Sequence, residues 1–255
     1  LGPLIGGVLY AVHPALPFAL DAASYLASFL LVVGVRSPQR SATGGGGEAP
    51  LAQRLSAGWT WLRRDPFLFA AGFWVAALTS VFAAVGLAIL VFARDRGANP
   101  AELGAMYAIS TAGGLAGALL TPWLQRRMSP LAILSSAALL DTAATLLLLP
   151  LESPYAIGAA GAAAFLLAPA VSATLFGELS RRCPDPLVTR AQSALVLIVG
   201  AFAPLAPAAI GAVIDVFSPT VALAACAAAF AVLFVLALVL PSLHASAPAD
   251  PGEVT

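Results

Sequence analysis

Three carboxylates lie within or at the end of long apolar stretches, where an ionisable group is expensive to keep. Asp141 is near the middle of one stretch, Asp21 lies inside a second, and Glu178 ends a third beside Arg181 and Arg182. A charged carboxylate at the centre of a membrane helix costs about 2.5–3.5 kcal/mol on insertion scales, so Asp141 should face protein or be protonated. Such a group can take up and release a proton.

Each of these groups also has a purely structural interpretation. Asp21 can hydrogen-bond locally beside Ser24 or pair with another helix. Glu178 can form an ion network that holds a gate closed, or a solvated pair of little energetic value. Three arginines near span ends are expected to anchor lipid headgroups and set topology, with gating as a secondary role: Arg126, Arg127 and Arg190.

The composition places these residues in an integral membrane protein. Of 255 residues, 60% are hydrophobic and only 9% are charged, and the mean hydropathy is +0.95. Soluble domains carry nearer a quarter charged residues, so a soluble core of this size is excluded. We expect membrane lipids as partners. The net charge of zero gives no reason to expect a nucleic-acid partner.

The apolar stretches predict an all-α membrane protein of about seven full spans, preceded by a partial one. Residues 1–12 are too short to cross a bilayer. The predicted spans are 14–35, 67–92, 102–124, 131–149, 155–179, 191–214 and 219–240. The intervening segments carry Pro, Gly or charge, as expected of turns.

A polar segment divides this series unequally. We predict four regions: residues 1–35, the end of one helical half; 36–65, a linker; 66–241, a six-helix half; and 242–255, a disordered tail. The linker contains the flexible run Gly44 to Gly47. Leucines and tryptophan recur at helical spacing from Leu51 to Leu62, which predicts an amphipathic surface helix leading into the next span.

The distribution of arginine predicts the orientation in the cell membrane. If the linker is cytoplasmic, ten arginines lie inside and two, Arg94 and Arg96, lie outside. This split follows the positive-inside rule, and the opposite orientation would invert it. We therefore predict a multi-pass protein with a cytoplasmic C-terminus.

Small residues and prolines indicate how the helices pack and bend. Gly2 and Gly6 are four residues apart, as are Gly113 and Gly117, and this spacing lets two helix backbones approach closely. The alternative is that glycine is simply abundant here. Pro169 and the pair Pro204 and Pro207 remove backbone donors and should bend their helices.

Several segments resemble the major facilitator superfamily of twelve-helix secondary transporters, and in particular its bacterial multidrug, macrolide and enterobactin-type siderophore exporters. GPLIGG resembles the end of the antiporter motif G-P-x-x-G-G of the fifth helix, through Gly2, Pro3, Gly6 and Gly7. The runs PALPFALDAASYLASFLL and AGWTWLRRDPFL resemble the sixth helix and the lead-in to the seventh.

Two later segments extend the resemblance. GGLAGALLTPWLQRRMSP is similar to the eighth helix and the following loop, although the aspartate of that loop motif is absent. GELSRRCPDPLVTRAQSALVL is similar to the connection from the tenth to the eleventh helix, with Glu178, Pro184 and Arg190 at matching places. The resemblance implies a major-facilitator-type bundle in which this chain supplies helices five to twelve.

The same resemblance implies roles for individual residues. The first four helices would be missing, and these N-terminal helices of the same protein would be partners. Helix five meets helix eight in the family, so Gly2 and Gly6 are expected against Gly113 and Gly117. Asp141 would lie on helix nine, a peripheral support, which weakens its assignment to proton coupling.

Six side chains fall on the two helices that would line the substrate cavity: Trp74, Thr79, Ser80, Phe165, Ser172 and Thr174. Aromatic rings with a few hydroxyls suit flat, lipophilic and partly cationic compounds. The alternative is that these residues face lipid or pack between helices.

We therefore expect a proton-coupled exporter of small lipophilic compounds or siderophores that works by alternating access and is present as a fragment. The small-molecule substrate and protons would be its partners. The alternatives are a truncated membrane remnant or helix-packing partner that does not transport, and an importer. No enzyme activity, cofactor or metal site is expected, because the catalytic and phosphate-binding motifs are absent and Cys183 and Cys226 do not suggest a metal site.

Overall fold

The computed structural model of the protein describes residues 6, 9–10, 12–34 and 58–244, and within them the regular elements are all helical. The helices are α1 (Leu16–Gly34), α2 (Pro66–Asp95), α3 (Pro100–Arg127), α4 (Pro130–Leu148), α5 (Pro154–Phe165), α6 (Ala168–Arg182), α7 (Asp185–Phe202), α8 (Leu205–Val216) and α9 (Pro219–Val239). A short 3-10 turn, Pro241–His244, follows.

These helices form seven stretches long and apolar enough to cross a membrane, which confirms the predicted all-α class and the seven full spans. Two of the seven are interrupted, because α5 with α6, and α7 with α8, each make one span. Of the predicted partial span, residues 6, 9, 10 and 12 are helical, and its other residues lie outside the described part of the chain.

Five helices begin with proline directly after a capping residue. Asp65, Asn99, Ser129 and Ser218 each accept a hydrogen bond from the backbone of their helix's first turn. Proline suits the first helical position because its missing N–H has no helical partner there. Ser153 precedes α5 in the same way without a side-chain cap.

The two interruptions lie where proline was expected to bend the spans. Helix α5 ends at Phe165 and α6 begins at Ala168, with Pro169 in its first turn. Helix α7 ends at Phe202, and Pro204 precedes α8. Because proline lacks an N–H and its ring meets the preceding turn, each span divides into two segments.

Helix α2 is the centre of the bundle. It has the largest buried share of any span and packs against α9, α8 and α7. Helix α3 packs mainly against α5, and α4 against α9. Helix α1 buries none of its apolar window in the described structure.

Two short segments next to the bundle bear on the predicted region boundaries. The tail predicted to be disordered from residue 242 begins instead with the 3-10 turn, because Leu243 is buried against the bundle. Residues 58–62, hereafter the linker turn, are helical, and Leu62 is fully buried. Residues 51–57 of the predicted amphipathic helix lie outside the described residues.

Candidate functional site

Asp141 lies on the face of α4 that is turned toward the bundle. It belongs to a buried stripe that also contains Ala137, Ala138, Ala144 and Thr145. Its side chain is 4% exposed, and no ion pair to it occurs within the described residues. An intramembrane carboxylate in this setting is costly as an anion, and it is therefore chemically suited to bind a proton.

A buried ion network lies at the end of the bundle where the linker turn enters α2, hereafter the linker-side end. The Glu178 carboxylate pairs with Arg181 at 2.9 Å and with the Nε of Arg182 at 2.9 Å. Arg182 also approaches Asp65 at 3.5 Å, and its guanidinium lies 4.4 Å from the centre of the Phe67 ring. The network therefore joins the end of α6 to the start of α2.

The members of this network differ in how exposed their side chains are. The side chains of Glu178 and Arg182 are each 7% exposed and that of Asp65 is 10% exposed, whereas Arg181 is 73% exposed. The expected alternative of a solvated pair applies only to Arg181. Asp65 has a second task, since its other oxygen accepts a hydrogen bond from the Leu68 N–H at 2.9 Å and caps α2.

A cavity of about 210 Å³ borders the same end of α6, between this helix, the end of α3 and the start of α4. Glu178 and Thr174 are among its lining residues. The Thr174 hydroxyl is buried and has no hydrogen-bond partner within the described structure. An unsatisfied hydroxyl beside open space is available to a water molecule or a polar ligand group.

The other residues expected to line a substrate cavity do not come together. Trp74 donates from its indole N–H to the Leu233 carbonyl at 2.9 Å. Ser80 donates to the Phe202 carbonyl at 2.7 Å and accepts from the Ala206 N–H at 3.0 Å. In this conformation both side chains therefore use their polar atoms in contacts between helices and do not offer them to a substrate.

Thr79 and Ser172 are exposed. Phe165 makes an edge contact with Phe82, with ring centroids 4.6 Å apart. Both rings line a second, mainly apolar cavity of about 60 Å³ enclosed by α2, α3, α4 and α5. Phe165 and Thr174 therefore border different cavities.

The glycine pair of α3 packs against a different helix from the one expected. A Cβ at Gly113 would overlap the backbone of Ala162, and one at Gly117 would overlap that of Leu166. Both neighbours belong to the broken span of α5 and α6, whereas nothing lies within 4 Å of a Cβ built on Gly6. Among the described residues, Gly6 therefore makes no close contact with Gly113 or Gly117, and the contact expected of Gly2 stays a prediction. Gly2, Pro3 and Gly7 lie outside the described residues.

The remaining charged candidates are exposed. Asp21 is exposed on α1, and Ser24 donates to its backbone carbonyl rather than to its carboxylate. Arg126 and Arg127 are exposed at the end of α3, with Arg127 lying 5.7 Å from the centre of the Trp123 ring. Arg190 is exposed, but its backbone contacts the linker turn at Gly58.

Asp65 and Phe67 did not figure among the candidates drawn from the sequence. A signal for Asp65 was present, because an aspartate before proline at the start of an apolar run is a helix cap. Its ion pair had no local signal, since its partner Arg182 is distant in the chain. In the part of the chain that the structure describes, no group of three or more His, Cys, Asp or Glu residues is placed to hold a metal ion.

Comparison with known proteins identifies a family. The model of the Major Facilitator Superfamily matches residues 1–185, which is more than half of the chain. No curated protein and no solved structure shows significant similarity to the chain.

Proposed function

The chain belongs to the major facilitator superfamily, and from this premise we propose that it is a proton-coupled secondary transporter that exports small lipophilic compounds or siderophores. Membership of this family indicates a membrane transporter rather than an enzyme, and it does not favour the alternative of a non-transporting remnant. Proton coupling, outward direction and substrate class are the proposal. Alternating access by rocking of two helical halves is the mechanism that goes with it.

The burial of Asp141 is the observation that supports proton coupling. Asp141 is a carboxylate inside a membrane-spanning helix, it is buried, and it faces protein rather than lipid. A proton can neutralise it, and loss of that proton would favour a conformation that exposes the carboxylate to water. Its place on a supporting helix means that it would act on helix packing rather than touch the substrate.

The proposed arrangement divides the chain at its linker. Residues 1–35 would close one helical half, 36–65 would form a cytoplasmic linker, 66–241 would form the second half, and the segment from 242 would be a cytoplasmic tail. The cell membrane is the proposed location, supported by the ten-to-two distribution of arginine.

The motif resemblance supports an assignment of the spans to the family's helices five to twelve. On this assignment the seven full spans are helices six to twelve, so that α2 is helix seven and the broken pair α5 and α6 is helix ten. Four further helices would precede the chain in the complete transporter. An open reading frame upstream that encodes four spans would support this assignment, and a start codon directly before Leu1 would contradict it.

The substrate class is proposed from the chemistry of the two spans that the resemblance assigns to the substrate cavity. Thr174 offers a buried hydroxyl at the linker-side cavity, while Phe165 and Phe82 offer aromatic edges in the apolar cavity. Thr79 and Ser172 are exposed on the same two spans. In this conformation these groups border two different cavities and the exposed surface, so the proposal of a lipophilic substrate with a few polar groups rests on their chemistry and not on a shared pocket.

The test is Asp141→Asn in the complete transporter, measured as efflux driven by an imposed pH gradient. Asparagine keeps the shape of the side chain but cannot titrate, so gradient-driven efflux should be abolished while substrate exchange without a gradient persists. Asp215→Asn is the matched control, because Asp215 is an exposed carboxylate near the end of α8. Undiminished gradient-driven efflux in Asp141→Asn would remove Asp141 from the mechanism.

A further inference from the structure

We propose that the apolar cavity between α2, α3, α4 and α5 binds one end of a lipophilic substrate, a short neutral group that carries an O–H or N–H donor. Gly86 provides the space for this group, and Tyr107 provides an acceptor for its hydrogen bond. This inference rests on the proposed function and deepens it, because it names the chemistry of the substrate and two residues that select for it.

The cavity lies between α2 on one side and α3, α4 and α5 on the other. Helix α2 packs closely against α7, α8 and α9, whereas α5 packs closely against α3 and α4. Two contacts reach across from α2. The Tyr107 hydroxyl of α3 donates to the Gly86 carbonyl at 2.9 Å, and the Phe82 ring meets the edge of Phe165 of α5. The cavity is therefore the space left between two groups of closely packed helices.

Gly86 leaves room on the α2 wall of the cavity. It shares a helix face with Phe82 and Ile89, about one turn to either side, and all three line the cavity. A Cβ built on Gly86 meets no atom within 4 Å. On the α5 wall, by contrast, a Cβ built on Gly161 would overlap the side chain of Ser110. A larger side chain at position 86 would therefore occupy free space inside the cavity.

The size of the cavity limits what it can enclose. Its volume is about 60 Å³, which is less than half of the roughly 150 Å³ of an engineered cavity that encloses benzene. The cavity is also partly open, and Phe82, Ile89 and Tyr107 on its wall are half-buried. It can therefore enclose a short group or the edge of a ring, while the rest of the ligand stays outside.

The hydroxyl groups of the lining favour a ligand that donates a hydrogen bond. Tyr107 gives its proton to the Gly86 carbonyl. The Ser110 hydroxyl has the Met106 carbonyl at 2.9 Å and the Gly158 carbonyl at 3.2 Å as acceptors for its proton. Because a hydroxyl has one proton and two lone pairs, each of these groups can still accept a bond but has no free proton to give.

The remaining lining restricts the ligand to a neutral group. Among the described residues that line the cavity, none is charged, and Thr145 adds a third hydroxyl residue from α4. Burying an ionised group there without a charged partner would be costly. A phenol or a short alcohol has the required apolar body and O–H donor, whereas the corresponding hydrocarbon lacks the donor.

The experiment measures the binding of two probes, para-fluorophenol and para-fluorotoluene, to the purified whole protein in lipid nanodiscs. The probes have nearly the same shape, but a methyl group replaces the hydroxyl donor in the second. Fluorine NMR line broadening reports binding, and empty nanodiscs give the contribution of the lipid. We expect fluorophenol to bind about two- to tenfold more tightly than fluorotoluene, which corresponds to one neutral hydrogen bond.

Three variants locate the binding. Gly86→Val fills the cavity and should abolish the binding of both probes. Gly200→Val is the matched control, because Gly200 is exposed on α7, outside the cavity, and a Cβ built there also meets no atom within 4 Å. Tyr107→Phe keeps the ring but removes the acceptor, so it should weaken fluorophenol binding about two- to tenfold and leave fluorotoluene binding unchanged.

Equal binding of the two probes to the unaltered protein would overturn the inference, and so would fluorophenol binding that persists in Gly86→Val. These measurements do not require transport. Binding that Gly86→Val abolishes, in a protein that exports no phenolic compound, would support the site and contradict the proposed function. Undiminished export of phenolic compounds by Gly86→Val would contradict the site and leave the proposed function intact.

Discussion

At the residue scale, the polar side chains of this bundle divide into those used by packing and those left available. The side chains of Ser80 and Trp74 form hydrogen bonds with backbone groups of other helices. Asp141 is buried without an ion pair, and the Thr174 hydroxyl is unsatisfied, within the described residues. Groups of the second kind are the ones on which a binding or coupling role can rest.

Ser80 satisfies backbone groups at the break between α7 and α8, and its removal should be costly. Ser80→Ala leaves the Phe202 carbonyl and the Ala206 N–H without their partner, which is expected to cost about 1–3 kcal/mol of unfolding free energy. Titration with a denaturing detergent in mixed micelles measures this. The neighbouring Thr79→Ala, at an exposed position, should change stability little. Equal effects of the two substitutions would contradict the assigned role.

At the element scale, the closest helix contact is that of α3 with the span formed by α5 and α6. Gly113 and Gly117 bring α3 against the backbone of that span, and Ser110 donates to the Gly158 carbonyl at 3.2 Å. Close approach of this kind replaces contacts that lipid would otherwise make. It also places a tightly packed pair of helices beside the break at residues 166–167.

Alanine substitution at two adjacent glycines of α3 should therefore change the free energy of unfolding in opposite directions. Gly113→Ala drives a methyl group into the Ala162 backbone, and overpacking of this kind costs about 1–3 kcal/mol. Gly114→Ala meets only the Phe165 side chain and carbonyl at 3.8–3.9 Å, and the gain in helix propensity is worth about 0.5–1 kcal/mol. The unfolding free energies of both variants in micelles test this. A stable Gly113→Ala protein would show that the contact is looser than described.

At the scale of the whole molecule, the chain places its polar groups at two opposite ends of seven apolar spans. Turns with capping residues and prolines separate the spans, because every backbone group inside the bilayer must be satisfied within a helix. The buried ion network lies at the linker-side end, where most of the arginines are also found.

The orientation can be tested with substituted cysteines in a variant lacking Cys183 and Cys226. Glu152→Cys, at an exposed position between α4 and α5, should react with a membrane-impermeant maleimide in intact cells. Arg126→Cys, exposed at the other end of the bundle, should react only after permeabilisation. This pattern follows from a cytoplasmic linker and the positive-inside rule. The reverse pattern would invert the proposed topology.

The sequence by itself determined the helical class, the seven spans, their turns and the two proline breaks, because these depend on hydrophobicity, capping and missing backbone donors along a continuous segment. Asp141 and Glu178 were also recognisable as candidates, since a carboxylate in or beside an apolar run is unusual whatever surrounds it. Both kinds of prediction rest on local composition.

Only the tertiary structure decided which residues meet. The pairing of Asp65 with Arg182, the contact of Gly113 with Ala162 and the use of Ser80 at a distant helix break each join segments far apart in the chain. Nothing in the local pattern of either segment specifies its partner, because helix packing depends on shape and register across the whole bundle. For the same reason the six residues expected in one substrate cavity were distributed among packing contacts, two cavities and exposed surface.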